Sequence, residues 1–162
     1  MRSACAPGAP PLAYSACVRL ARLNELWGGD EPGFLSQTEW ARWSGFPSDK
    51  RRLEFAAGRL AAKLVAHATR RSLGWRPLPL RELQVRPDSG GQPWLSAPDA
   101  PPLRLAISHA AGVAYAACSP EPVWLGLDVV DRARWLPFDP PSSIRWRRMD
   151  TTSGSTAASV LR

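Results

Sequence analysis

Hydrophobic and polar positions divide this chain into a helical first half and a β-rich second half. "YSACVRLARL" (14–23) alternates and predicts a first strand. "SQTE", Ser36 to Glu39, has capping-box spacing and predicts a short helix carrying Trp40, Arg42 and Trp43. Ser48 caps a long helix in which Leu53, Ala57, Leu60, Leu64 and Ala68 form an apolar stripe, and Gly74 follows where a C-terminal glycine belongs. Arg51, Arg52, Arg59, Lys63, Arg70 and Arg71 fall mostly off that stripe, which predicts a solvated basic face, with His67 a packing residue. "LQVRPDSGGQPWL" then reads as two extended pieces around a glycine-rich turn. "LRLAISH" (103–109), "VAYAAC" (113–118) and "VWLGLDVV" (123–130) read as three strands, which places Cys118 in the core.

Short links between these strands predict an antiparallel meander under one long helix, an α+β domain over residues 13–132. Residues 1–12 are Pro/Ala-rich and expected to be loose. Residues 133–162 lose periodicity, become Ser/Thr-rich and are expected to be disordered. In the meander Asp128 climbs to the edge where Ser108 and His109 end their strand, within roughly 10 Å. A carboxylate inside an apolar run is costly unless a cation or donors meet it, and Gly126, two residues earlier on the same face, leaves room beside it. A carboxylate suits a hard cation such as magnesium, which also borrows substrate phosphates; the imidazole, the hydroxyl and the amides of "SHAAG" suit phosphate oxygens. Ser108 and His109 point to opposite strand faces, so they do not form a nucleophile–base pair.

The net charge of +7 suits an anionic partner. Three scattered cysteines without a CxxC, and only two histidines, argue against a zinc site and fit a reducing, cytoplasmic setting. The acid-free opening carries one arginine, a weak organelle-targeting pattern, and no apolar stretch is long enough to span a membrane.

Four segments in order resemble the phosphopantetheinyl transferases of the surfactin-synthetase-activating type, nearest the eukaryotic aminoadipate-semialdehyde-dehydrogenase kind. They are "FPSDKRRLEFAAGRLAAKLVA" (F-x-x-D…GR), "RPDSGGQPWL" (basic-x-x-x-G-K-P), "ISHAAG" (I-S-H-x-G) and "LGLDVVD" (G-[IV]-D-[IV]-E). The resemblance implies the first half of that fold and magnesium-dependent transfer of the phosphopantetheine arm of coenzyme A to a serine of an apo acyl- or peptidyl-carrier domain. It implies that Asp128 is a catalytic magnesium ligand and that His109 is catalytic and touches coenzyme A. It also implies that Ser108, Arg42, Arg86 and Gln92 contact coenzyme A.

The sequence departs from that pattern at three places. Val130 replaces the second acidic residue, Gln92 replaces a lysine, and no W-x-x-K-E segment follows Asp128. The expectation is therefore a truncated transferase, weak in binding and poor in turnover, with exposed tryptophans that limit solubility. The alternatives are a non-catalytic remnant that still holds carrier domains, and a basic nucleic-acid-binding module resting on "RWRR" and interleaved tryptophans, which lacks a recognisable binding motif.

Overall fold

The computed structural model describes residues 13–27, 32–131 and 157–159. Its centre is a five-stranded antiparallel sheet in the order β1-β5-β4-β3-β2, built from Tyr14–Arg19, Val113–Ser119, Ala100–Ala110, Pro93–Ala97 and Gln84–Pro87. One long helix, α3 (Asp49–Ser72), covers one face. Two short helices, α1 (Leu20–Trp27) and α2 (Gln37–Ser44), flank it, and a single 3-10 turn (Leu80–Glu82) precedes β2. This is the α+β arrangement expected from the pattern, and β2 to β5 form an uninterrupted meander.

Two strand boundaries differ from expectation. β1 stops at Arg19 because the amide of Leu20 donates to the Gly112 carbonyl at 2.8 Å, and the chain turns into α1 with Leu23 buried. The segment after "SPEP" does not pair with β5, because β1 occupies that edge through six residue pairs, Tyr14–Cys118 to Arg19–Val113. Instead β6 is short (Trp124–Gly126) and pairs in parallel with β7 (Ala157–Ser159). The other residues expected to form a loose N-terminus and a disordered tail lie outside the described residues.

The capping signals act as read. Ser36 and Glu39 form a reciprocal capping box, Ser48 accepts from the Arg51 amide, and Gly74 adopts a φ of +71° just past α3. The apolar stripe is rotated, however. Leu64 is 41% exposed and Ala68 is exposed, whereas Ala56, Ala57, Ala61, Ala62, Val65 and Ala66 are buried. The sheet supplies the bulk, through Leu83, Val85, Leu95, Leu103, Leu105 and Cys118, and small helix residues let it approach closely.

Two of the bases expected on a solvated face are also inside. Lys63 is 0% and Arg70 1% exposed, each because a carboxylate from another element meets it. Arg70 Nη2 reaches both oxygens of Asp99 at 2.9 Å and the Arg76 carbonyl at 2.8 Å, with Trp75 beneath the guanidinium. That pair pins the C-terminal end of α3 to the β3–β4 turn.

The opposite end of the sheet carries the β4–β5 hairpin. Ala110 pairs with Val113, leaving a two-residue loop in which Ala111 (φ +49°) and Gly112 (φ +73°) are both left-handed. That backbone matches the twist of the strands, and it suits glycine at the second position and strains alanine at the first. Ala111→Asn should therefore raise stability by about 0.5–1 kcal/mol, read by chemical denaturation.

Cys118 lies in the core under α3, and its thiol is pushed up to about 11 by burial, against a smaller opposite pull from Thr69. An unfolded chain releases that proton near 9.0, so the unfolded state binds fewer protons through the window and stability falls as pH rises. Between pH 9 and 11 the protein should lose about 2–3 kcal/mol more than its Cys118→Ala variant, read from urea midpoints at each pH.

Candidate functional site

The N-terminal half of α3 gathers the chemistry. Phe55, Gly58 and Arg59 are spaced three and four apart, so they share one helix face. Arg59 stacks its guanidinium over the Phe55 ring at 4.5 Å, and Arg42 from α2 approaches the same ring at 5.7 Å. Phe46, from the link between α2 and α3, lies 5.2 Å from Phe55. His109 of β4 completes the group, since a Cβ built on Gly58 would stand 2.7 Å from its Nε2. Along β4, Leu103, Leu105, Ile107 and His109 face α3, whereas Arg104, Ala106 and Ser108 face away.

One buried carboxylate fixes this geometry. Glu39, 4% exposed, accepts at Oε2 from Lys63 Nζ at 2.5 Å and from the Ser36 amide at 2.9 Å. Its Oε1 accepts from the Val85 amide at 3.1 Å, on the outer edge of β2. Lys63 also donates to the Phe34 carbonyl at 2.7 Å. Arg59 Nε lies 3.6 Å from Glu39, an ion pair too long for a hydrogen bond, and that buried nitrogen has no hydrogen-bond partner among the described residues. Burial lowers the pKa of both Lys63 and Arg59 against the opposing pull of Glu39, and Arg42 lowers that of Arg59 further. Glu39 is thus held chiefly by Lys63, with Arg59 a looser and largely buried partner, and the exposed charge beside Phe55 is that of Arg42.

The second face of β4 carries the other candidates. Ser108 Oγ accepts from the Val129 amide at 3.2 Å, which brings the chain at Asp128 to the end of β4 that carries His109. The two meet across opposite sheet faces, with His109 against α3 and the Asp128 segment over Ser108. Asp128 is exposed, Asp131 is half-buried and Val130 is 51% exposed. Among the described residues no group of three His, Cys, Asp or Glu side chains could hold a metal ion. The donor set therefore fits magnesium only as an ion carried largely by a ligand's phosphate oxygens, with Asp128 as one hard oxygen ligand.

Arg86 and Gln92 are not brought to this group. Arg86 pairs across the sheet with Trp94 and then Arg104, on the face away from α3. That register sets it about 19 Å from His109, five residues along and two strands over. Its guanidinium bonds the Gln84 side chain. Gln92 serves the β2–β3 turn through its backbone, where Asp88 Oδ1 accepts from the Gly90 and Gln92 amides at 2.9 Å. Those amides, Gln92 first, and Arg104 hold the Asp88 carboxyl below its ordinary range.

Arg59, Phe55 and Glu39 were missed as site residues by sequence reading. The "GR" dipeptide marked Arg59, but no pattern links Glu39 to a lysine 24 positions later.

No family model and no curated protein sequence matches the chain. Solved structures do. A holo-(acyl-carrier-protein) synthase from Bacillus anthracis, in complex with coenzyme A (3′,5′-ADP), matches at 26% identity and a TM-score of 0.54, over 65% of this chain and 91% of that one. This is the holo-acyl-carrier-protein synthase fold. The synthase fold recurs at 22% identity in an ACPS–CoA complex from Chronobacterium ammoniagenes, with a TM-score of 0.54 over 68% and 96% of the two chains. It recurs at 18% in the enzyme from Neisseria meningitidis, with a TM-score of 0.52 over 67% and 97%. Among the described residues no helix is long and apolar enough to cross a membrane.

Removing the lysine of the buried pair leaves a carboxylate without its main counter-charge in the interior of the synthase fold. Lys63→Met should cost about 3–5 kcal/mol, read as a fall in urea midpoint, whereas Arg51→Met on the exposed face should change it by under about 0.5 kcal/mol.

Proposed function

We propose that this chain binds coenzyme A and transfers its 4′-phosphopantetheine arm to a serine of an apo acyl- or peptidyl-carrier domain. The carrying observation is the pair of guanidiniums, Arg42 and Arg59, around Phe55 on the helix face that meets His109. Arg59 shares its acidic neighbour, Glu39, with the closer Lys63, and Arg42 is exposed. Such an array offers charge-assisted donors to phosphates beside an aromatic ring. The resemblance of four motifs and the coenzyme A complexes of the fold neighbours support the same reading.

In this reading Arg42, Arg59 and His109 hold phosphate oxygens, Ser108 orders the 129 amide on the other sheet face at the same end of β4, and Asp128 offers an oxygen ligand to magnesium. Bound magnesium supplies neutralisation of pyrophosphate charge. The acceptor serine hydroxyl gives up its proton to solvent as its oxygen bonds to the phosphorus of the pantetheine phosphate, the bond to the bridging oxygen breaks, and adenosine bisphosphate leaves with that oxygen. Holding the phosphates in line with the incoming hydroxyl is the main contribution required of the protein in such transfers. An excess of positive charge at the site also suits acidic carrier domains.

The absence of a three-ligand acidic cluster among the described residues favours a second reading, a protein that binds coenzyme A and carrier domains and transfers slowly. One experiment separates them. Coenzyme A with magnesium should raise the melting temperature, and Arg42→Ala or His109→Ala should each weaken its binding about 10–100-fold, the worth of one hydrogen bond to a charged group. Incorporation of a labelled pantetheine arm into an apo carrier domain then distinguishes enzyme from remnant. No stabilisation by saturating coenzyme A, with stabilisation by an oligonucleotide instead, would overturn both in favour of nucleic-acid binding.

A further inference from the structure

We propose that Gly58 is a positioning residue whose missing side chain aims the His109 imidazole along α3. A glycine in a helix interior is unfavourable by about 1 kcal/mol relative to alanine. Its neighbours at 56, 57, 61 and 62 are all alanine, so the helix gives up propensity at this one position. The vacant space is not empty. A Cβ there would lie 2.7 Å from His109 Nε2, 3.4 Å from His109 Cε1 and 3.4 Å from Ile107 Cγ2. The imidazole therefore lies directly on the helix at Gly58, the residue that precedes Arg59.

The atom that would collide is the far end of a side chain that is itself exposed. The ring can swing away, and the helix backbone need not move. This predicts a separation that an ordinary packing glycine does not show. Alanine at 58 displaces the imidazole while the fold holds or gains stability. A glycine needed for close backbone contact would instead lose stability, because backbone atoms cannot yield.

The binding arm of the test rests on the coenzyme A reading; the ring arm does not. In the 162-residue chain, His109 and His67 are the two histidines, so the His109→Ala variant assigns the imidazole resonances. Gly58→Ala should shift the His109 ring signals without ligand, leave those of His67 in place, and keep or raise the melting temperature. Coenzyme A affinity should fall about tenfold. In a His109→Ala background the same change should alter affinity by less than about twofold, because the two positions act through one contact. A single variant that unfolds while Gly58→Ala/His109→Ala folds would identify the same collision and support the proposal.

Unchanged His109 signals in Gly58→Ala, an equal affinity loss in both backgrounds, or unfolding of the double variant would overturn it. If the wild-type chain binds no coenzyme A, the functional reading falls, and the ring signals alone still decide the role of Gly58.

Discussion

The buried carboxylate of Glu39 is the interaction on which the arrangement depends. It takes a lysine from α3, an amide from its own helix start and an amide from the outer edge of β2, so three elements distant in sequence share one acceptor. Burying a charge is unfavourable until such partners are in place, which makes the set close to all-or-none. With it closed, α2 has a fixed direction, and that direction delivers Arg42 to Phe55. The same carboxylate satisfies an edge-strand amide that would otherwise be open to pairing with another chain.

Site and scaffold are thus joined through a single helix. The face of α3 near its C-terminus is locked to the β3–β4 turn by Arg70 and Asp99, and its middle is locked to α2 by Lys63. The first turns carry exposed charge at Asp49, Lys50 and Arg51. The hairpin at Ala111 and Gly112 sets the end of β4 against those turns, and Ser108 draws the following segment over the opposite face. Two sheet faces therefore contribute to one edge, one through an imidazole and the other through a carboxylate.

Local signals were legible in the sequence: both helix caps, the glycine after α3, the meander from β2 to β5, and the meeting of the 128 and 108 segments. Each depends on residues near one another in the chain or on strand length. What failed was non-local. The edge of β5 is filled by a strand nearly a hundred residues earlier, which no link length reveals. The phase of α3 misled because leucines mark it less well than alanines when the sheet supplies the bulk. Lys63 and Arg70 looked like solvent-facing bases because their carboxylates sit 24 and 29 residues away. Arg86, included through resemblance, shares the sheet face of Ser108 but stands two strands over, and Gln92 sits in the β2–β3 turn.

The alanine-lined face of α3 has a consequence for how this chain tolerates change over evolutionary time. Ala56, Ala57, Ala61, Ala62 and Ala66 have no measurable exposure, so any larger residue must push helix from sheet, an overpacking that typically costs about 1–3 kcal/mol. Exposed guanidiniums can drift to lysine or exchange places with neighbours, but these methyl groups can be replaced by almost nothing. The helix interior that touches no ligand should therefore diverge more slowly among descendants than the charged rim that would touch one.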